Sequence, residues 1–181
     1  MRGILKVPKG LHFELDFISI FEEERILTFL SSLEYYQVII HDNPSKRSVK
    51  HFGYKYSEKG EPELGEVFPH ELEFLRQRCA EKVQLQAETL ASCLIAKYSE
   101  GSGVGWHSDA RVYGSHIFGV SLASDCTMQF QQKPRGIRHV YELSLPTRSF
   151  YIMSGESRYF WQHRISATKA LRYSITFRTL N

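Results

Sequence analysis

Residues 116–131, HIFGVSLASDCTMQFQ, contain two short runs of strand-forming residues separated by a small polar turn. The runs 116–122 and 126–131 carry β-branched and aromatic residues, which favour an extended backbone. Similar runs recur through the second half of the chain, at 92–98, 138–143, 148–153 and 172–178. Glycine, serine and proline separate them. Many short strands at this spacing predict a β-sandwich or barrel.

The first half of the chain predicts one strand and two helices. Residues 11–17 alternate apolar and polar side chains, as a half-buried strand does. Ser19 followed by Glu22 is a capping-box pattern, and a helical apolar stripe continues over 20–34. A second amphipathic helix, opening on a proline, is predicted over about 69–84. Two helices ahead of a run of strands predict an α+β, mainly β fold with the helices packed on one face.

Composition limits the class of protein. The chain has 181 residues, 42% hydrophobic and 24% charged, which fits one globular domain and excludes a disordered or fibrous chain. A net charge of +3 permits a polyanionic partner without requiring one. Three cysteines without a CxxC motif predict reduced thiols. No stretch resembles a membrane span or a signal peptide. We therefore expect a monomeric, non-membrane, intracellular protein of the cytoplasm or nucleus.

The segment GWHSDA contains the most informative pair of side chains. His107 and Asp109 lie two residues apart, so in an extended backbone they point to one face and could bind one cation. Such a pair is also common by chance on a glycine-rich surface loop. His163 strengthens the metal interpretation, because two histidines and one carboxylate form the facial triad of non-haem Fe(II) enzymes. The same three ligands also suit catalytic Zn(II), so the metal stays open here.

The last predicted strand, RYSITFR, favours iron. Its alternation puts Arg172, Ser174, Thr176 and Arg178 on one face. Two arginines on an inward face are costly unless an anion meets them, and a guanidinium binds a carboxylate through two parallel hydrogen bonds. A dicarboxylate such as 2-oxoglutarate, chelating iron at one end and meeting an arginine at the other, would satisfy this face. The alternative is an exposed face on an edge strand.

Together these segments resemble the AlkB family of Fe(II)/2-oxoglutarate-dependent dioxygenases. The similarity runs through CLIAKYSEG (93–101), WHSD (106–109), HIFGVSLASDCTMQF (116–130), RSFYIMSGESRYFWQH (148–163) and RYSITFR (172–178). VKHFGY and GESRYFW are most similar to the AlkB-like domain of the tRNA wobble-uridine hydroxylases. The resemblance implies one domain over 1–181, in which 1–90 supplies helices and a nucleotide-recognition lid. It implies a double-stranded β-helix, or jelly roll, as the catalytic core over 91–181.

The resemblance also implies the site residues and the reactants Fe(II), 2-oxoglutarate and O2. The implied catalytic metal ligands are His107, Asp109 and His163. The implied residues around 2-oxoglutarate are Tyr98, Arg172, Ser174 and Arg178. Among them, Arg172 would meet the distal carboxylate and Arg178 would lie near the metal-proximal end.

Two positions depart from the family pattern. Ala96 stands where the family often has an asparagine that contacts 2-oxoglutarate. Arg111 stands where several base-demethylating members carry an acidic residue that faces the alkylated base. An arginine there would repel a cationic base, which weakens the case for 1-methyladenine or 3-methylcytosine.

The segment KRSVKHFGYKY (46–56) is the predicted lid, between a polar turn at 41–44 and an exposed loop at 57–69. Basic side chains can bind phosphates and aromatic rings can stack on an extruded base. The predicted substrate-binding residues are Lys46, Arg47, Lys50, His51, Phe52, Tyr54 and Arg111. The alternative is an ordinary exposed strand whose aromatic residues belong to the core.

The oxidation chemistry is better defined than the substrate. The first hypothesis is oxidative dealkylation of alkylated bases in DNA or RNA, in which the hydroxylated N-alkyl group is released. The second is hydroxylation of a modified wobble uridine in tRNA, in which the hydroxyl group stays. The third is a protein-directed oxygenase or a binding module without turnover.

Overall fold

The computed structural model describes residues 7–40, 43–56 and 61–180. The strands are β1 (Leu11–Glu14), β2 (Tyr36–Ile40), β3 (Asn43–Tyr56), β4 (Pro62–Leu64), β5 (Ser92–Tyr98), β6 (Val104–His107), β7 (Tyr113–Leu122), β8 (Cys126–Gln132), β9 (His139–Leu145), β10 (Phe150–Met153), β11 (Gln162–Ile165) and β12 (Arg172–Leu180). The α-helices are α1 (Ile20–Ser31), α2 (His70–Glu81) and α3 (Gly155–Tyr159). Two short 3₁₀ turns cover Ala87–Thr89 and Pro134–Gly136.

The strands form two antiparallel sheets. The larger sheet has the order β1-β10-β7-β12-β5-β3-β2, with β4 added to β3. The smaller sheet has the order β6-β11-β8-β9. Non-consecutive strands are neighbours in both sheets, as in a jelly roll. The prediction of an α+β, mainly β jelly roll is confirmed, and strands from both halves of the chain share the larger sheet.

Two apolar clusters hold the layers together. One lies on the outer face of the larger sheet, where Leu30 of α1 and Leu75 of α2 pack with Ile175 and Phe177 of β12. The helices therefore cover one face, as the sequence predicts. The second cluster lies between the sheets and includes Phe130 of the smaller sheet. This arrangement leaves the polar face of β12 directed into the space between the sheets.

Both long helices end earlier than their apolar patterns predict. α1 begins at the predicted capping box, where Ser19 Oγ accepts from Glu22 N at 3.2 Å. It ends at Ser31, because the hydroxyls of Ser31 and Ser32 donate to carbonyl oxygens one turn back and compete with the helical pattern. α2 ends at Glu81, and the left-handed Gln84, with φ 56°, turns the chain away.

Sequence patterns missed the shortest strands. β6 and β11 have four residues each and β4 has three, and none of them lies in a longer alternating or apolar run like those that mark β1 and β10. β4 falls inside the predicted exposed loop; its residues are exposed, as expected, but pair with β3. The predicted turn at 41–44 is wrong at Asn43, where β3 begins. His41, Asp42 and residues 57–60 lie outside the described residues.

A buried carboxylate joins α1 to the jelly roll. Glu23 is only 7% exposed, and its Oε1 accepts from Ala123 N at 2.9 Å and from the Thr147 hydroxyl. Its Oε2 accepts from Arg148 Nη1 at 3.1 Å. Ala123 and Arg148 both have left-handed backbones, with φ 72° and 62°. Glu23 therefore fixes two strained turns to the helix that covers the larger sheet.

Replacing Glu23 by alanine is expected to lower the free energy of unfolding by about 1–3 kcal/mol, because the Ala123 N–H loses its acceptor. Urea denaturation followed by circular dichroism measures this change. Glu24→Ala, at the exposed neighbouring position, is the control and should change stability by less than about 0.5 kcal/mol. Equal stabilities of the two variants would show that the Glu23 contacts contribute nothing.

Candidate active site

Two strands of the smaller sheet bring the predicted metal ligands together. His107 is the last residue of β6 and lies directly opposite His163 of β11, with ring centroids 4.2 Å apart. Asp109 follows β6 by two residues, and its Oδ2 lies 3.6 Å from His163 Nε2. The pairing of β6 with β11 thus brings His163 close to Asp109, although 54 residues separate them in the sequence.

Hydrogen bonds orient these donors. His107 Nδ1 donates to the Gly105 carbonyl oxygen at 2.9 Å, which leaves Nε2 with its lone pair for a metal. Asp109 Oδ1 accepts from Arg178 Nε at 3.1 Å and Nη2 at 2.9 Å, which leaves Oδ2 on the side of His163. One carboxylate oxygen therefore fixes the side chain and the other is available for a metal.

The protonation states suit metal binding. Burial lowers the pKa of His163 to about 3, and burial also lowers the pKa of His107. Burial alone would raise the pKa of Asp109, but the charge and hydrogen bonds of Arg178 lower it to about 2. Near neutral pH the set is two neutral imidazoles and one carboxylate, the forms that bind metals.

The side chains of Arg172 and Arg178 lie on the same polar face of β12. Both are buried, at 1% and 7% exposure, and each has an Nη1 group without a hydrogen-bond partner among the described residues. Arg172 Nε donates to Ser121 Oγ at 3.2 Å, and its guanidinium lies 5.0 Å from the Tyr98 ring centroid. The chain thus holds two buried guanidinium groups that each offer a free donor.

An open pocket lies between the two sheets beside these groups. Its walls include Tyr98, Ser174 and Arg178 of the larger sheet and His107 and His163 of the smaller sheet. Ala96, the departure from the family pattern, also lies on the wall, and so do Leu94, Ile117 and Tyr151. Arg172 is not exposed on this wall, and its guanidinium stays near Tyr98.

The predicted lid residues divide between two environments. Arg47 of β3 lines the pocket. His51, four residues further along β3 and on the same face, is half-buried. Burial, with the charges of Arg178, Lys55 and Arg47, lowers the pKa of His51 to about 4, so this imidazole is neutral. Its Nδ1 is hydrogen-bonded to the Tyr36 hydroxyl.

The other lid residues do not reach the pocket. Phe52 is buried in the helix-side core, and Lys50 pairs with Glu66 at 2.6 Å, so the structure does not bring these two to the site. Lys46 is exposed on the surface. Tyr54 is exposed after Gly53, whose left-handed backbone, φ 70°, bends the strand; a Cβ there would lie 2.2 Å from the Ala91 carbonyl oxygen. Arg111 is exposed in the turn after the metal carboxylate.

Arg158 of α3 is a site residue that the sequence did not reveal. It is 3% exposed, and within the described residues its guanidinium donates to backbone carbonyl oxygens of the loop that follows β6 and of the first two residues of β7. The acceptors are Asp109 O at 3.1 Å, Ala110 O at 2.7 Å, Tyr113 O at 3.1 Å and Gly114 O at 3.3 Å. Burial lowers the pKa of Arg158, and the charge of Asp109 opposes this shift. The sequence would predict an arginine on a five-residue helix to be solvent-exposed, so no sequence pattern indicates that Arg158 is buried.

Arg158 is a positioning residue for Asp109, and Arg158→Met is expected to weaken Fe(II) binding about 10–100-fold. Methionine keeps much of the volume but cannot hold the loop. Anaerobic Fe(II) titration measures the affinity, and Arg158→Lys should recover only part of it, because one ammonium cannot reach four carbonyl groups. Glu156→Ala, exposed on the same helix, is the control. A folded Arg158→Met protein with unchanged Fe(II) affinity would rule out the positioning role.

Comparison with known families identifies the class of enzyme. The model of the 2OG-Fe(II) oxygenase superfamily matches residues 32–178. This chain belongs to that superfamily. Within the described residues, no helix of this oxygenase has the length and apolarity needed to cross a membrane.

Relatives of this oxygenase are AlkB-like. It is 33% identical to "tRNA (carboxymethyluridine(34)-5-O)-methyltransferase alkbh8" of Xenopus tropicalis, over 90% of this chain and 26% of that protein. It is 26% identical to "Alkylated DNA repair protein ALKBH8 homolog" of Arabidopsis thaliana, over 89% of this chain and 51% of that protein. The chain thus spans about a quarter of the length of the first of these relatives. The AlkB-like resemblance is confirmed.

Solved structures share the fold. The structure of OsALKBH1 superposes with a TM-score of 0.74 at 14% identity, covering 96% of this chain and all of that one. A prolyl hydroxylase from Trichoplax adhaerens superposes with a TM-score of 0.65 at 12% identity, covering 94% of this chain and 83% of that one. At these identities the likeness establishes the jelly roll of 2OG-Fe(II) oxygenases.

The site of this oxygenase fits the reactants of its superfamily, Fe(II), 2-oxoglutarate and O2. Two imidazoles and one carboxylate match the Fe(II) facial triad. Within the described ranges, no three His, Cys, Asp or Glu side chains lie close enough together to coordinate a metal ion without moving. The fit therefore rests on donor chemistry and orientation. The unpartnered Nη1 groups of Arg172 and Arg178 fit the carboxylates of 2-oxoglutarate. The individual residue assignments stay predictions.

Proposed function

We propose that this oxygenase hydroxylates a carbon atom of a modified uridine in tRNA. The observation that carries the proposal is the charge of the pocket. Its described wall includes two guanidinium groups, Arg47 and Arg178, and a single carboxylate, Asp109, whose Oδ1 is already bound by Arg178. A cationic alkylated base would meet positive charge and no free carboxylate, whereas a neutral or anionic uridine derivative would not be repelled.

The relatives support this choice of substrate. The matching proteins of Xenopus tropicalis and Mus musculus are both named for carboxymethyluridine at tRNA position 34, and they align with 90% and 92% of this chain. Arg111, two residues after Asp109, is exposed and carries no negative charge that could attract a cationic base. We propose tRNA as the partner.

The side chains of this enzyme would divide the work as follows. His107, Asp109 and His163 would hold Fe(II), and Arg178 would keep Asp109 ionised with Oδ2 toward the metal. Arg172, beside Tyr98 and Ser174, would bind the distal carboxylate of 2-oxoglutarate. When bound, iron and cosubstrate reduce O2 so that one oxygen atom enters succinate, as CO2 leaves, and the other enters a substrate C–H bond. Leu94, Ile117 and Tyr151 would exclude water around the reacting carbon.

Mass spectrometry of products from a panel of RNAs tests this function. The panel contains tRNA with carboxymethylated or methyl-esterified wobble uridine, and oligonucleotides with 1-methyladenine or 3-methylcytosine. We expect the uridine nucleoside to gain one oxygen atom and the methylated bases to remain unchanged. Loss of methyl groups from DNA or RNA, with no oxygen gained by uridine, would instead establish oxidative dealkylation. Turnover of neither group would favour a protein substrate.

A further inference from the structure

We infer that Arg47 forms a carboxylate-binding subsite on the pocket wall, which selects an acidic substituent on the substrate base. The inference rests on the proposed function and names the chemical class of the group that the pocket accepts. A substituent of this class is a short chain that ends in a carboxylate, attached to a pyrimidine.

The backbone of β3 directs Arg47 into the pocket. Arg47 lies opposite Tyr98 in the register of β3 and β5, and Tyr98 lines the same pocket. The next residue on the same face, Val49, is buried in the cluster between the sheets. Lys46, one position away, points to solvent, and its carbonyl oxygen accepts from Ser102 Oγ at 3.0 Å. The strand is thus anchored where Arg47 leaves it.

The charge of Arg47 has no anionic partner among residues 7–40, 43–56 and 61–180. No carboxylate side chain among the described residues forms an ion pair with its half-buried guanidinium. The titratable neighbours of Arg47 include the imidazoles of His51 and His107, which burial keeps neutral, so neither supplies a negative charge. Among the described residues of the wall, Asp109 alone carries a carboxylate, and this carboxylate is bound to Arg178. A partly desolvated guanidinium without a counter-ion favours an anionic ligand.

The cosubstrate does not satisfy this group. 2-Oxoglutarate brings two carboxylates, of which one would bind the metal and the other would meet Arg172. Arg172 already has a buried Nη1 without a partner for this purpose. Arg47 lies on β3, which is separated from β12 by β5. Its guanidinium is therefore placed for a ligand other than the carboxylate that Arg172 would bind. The remaining anion must come from the substrate.

The experiment compares anticodon stem-loop RNAs that differ only at the C5 substituent of the wobble uridine. One carries carboxymethyl, one carries the neutral carbamoylmethyl group of the same shape, and one carries hydrogen. Binding is measured by fluorescence anisotropy to protein loaded with Fe(II) and 2-oxoglutarate without O2, so no turnover occurs. The proteins are wild type, Arg47→Ala, Arg47→Lys and Lys46→Ala. The affinity for 2-oxoglutarate and the melting temperature are measured for each.

We expect wild type to bind the carboxymethyl RNA about tenfold more tightly than the carbamoylmethyl RNA, since one charge-assisted contact distinguishes them. Arg47→Ala should bring this ratio close to one, and Arg47→Lys should keep part of it. Lys46→Ala is the matched control: it should weaken binding of all three RNAs alike and keep the ratio. The affinity for 2-oxoglutarate should be the same in wild type and Arg47→Ala.

Other outcomes overturn the inference. If Arg47→Ala weakens all three RNAs equally, Arg47 binds a phosphate of the backbone. If Arg47→Ala weakens 2-oxoglutarate binding, Arg47 anchors the cosubstrate. If wild type oxidises the uridine RNAs in a separate mass-spectrometric assay with O2, but the binding ratio does not depend on Arg47, the inference fails while the proposed function stands. If wild type oxidises none of the uridine RNAs, the proposed function fails.

Discussion

Asp109→Asn is expected to reduce succinate formation to background while the protein stays folded. Asp109 contributes the one carboxylate found among the described residues of the pocket wall, with Oδ2 on the side of His163. Asparagine retains an oxygen that can accept the two hydrogen bonds from Arg178, so the buried guanidinium keeps its partner. The charge that Fe(II) requires is lost, and an amide is a poor ligand for it. The variant therefore separates metal binding from folding.

Asp109→Ala provides the comparison. It removes both the metal ligand and the acceptor for Arg178, whose guanidinium is buried. Breaking a buried ion pair by removing one partner costs about 3–5 kcal/mol, so this variant should also melt at a lower temperature than Asp109→Asn. Succinate release under iron-replete conditions and thermal melting are measured side by side. Wild-type-like succinate production by Asp109→Asn would show that the metal lies elsewhere.

The regular part of the fold could be predicted from local pattern. The alternation in RYSITFR places Ile175 and Phe177 against the helices and Arg178 in the pocket, because the side-chain period of a strand is two. The capping box at Ser19 likewise acts through neighbours three residues apart. Such features need no information from distant residues, so the sequence alone reveals them.

The parts that depend on distant residues could not be predicted. β6 is a strand because it pairs with β11, and β11 in turn pairs with β8. The pairing of β6 with β11 places His163 opposite His107. The sequence pattern of the lid does not show which side chains face the pocket, since the sheet on both sides of β3 decides it. The hydrogen bonds of Arg158 to the loop that contains Asp109 form only because the fold brings α3 against the start of β7.

Arg172 carries the second large expected effect. Its guanidinium is 1% exposed, lies beside Tyr98 and donates to Ser121, yet its Nη1 has no partner among the described residues. A buried charge without a counter-ion costs folding free energy, which a bound carboxylate would offset. Arg172→Met keeps an unbranched side chain and removes the charge. The ligand-free variant is therefore expected to be at least as stable as wild type, the opposite of Asp109→Ala.

The cosubstrate should reveal the role of Arg172. Arg172→Met and Arg172→Ala are expected to weaken 2-oxoglutarate binding by about 2–5 kcal/mol, since the distal carboxylate loses its charged partner. Arg172→Lys should recover part of this loss, because an ammonium lacks the bidentate fork. At about 100 times the wild-type dissociation constant, 2-oxoglutarate stabilises wild type by about 2.7 kcal/mol, and at the same concentration it should stabilise Arg172→Met by less than about 1 kcal/mol. Equal stabilisation of wild type and Arg172→Met would place the carboxylate anchor at another residue. The same titration of Arg178→Met would then identify whether Arg178, whose Nη1 also has no partner among the described residues, provides it.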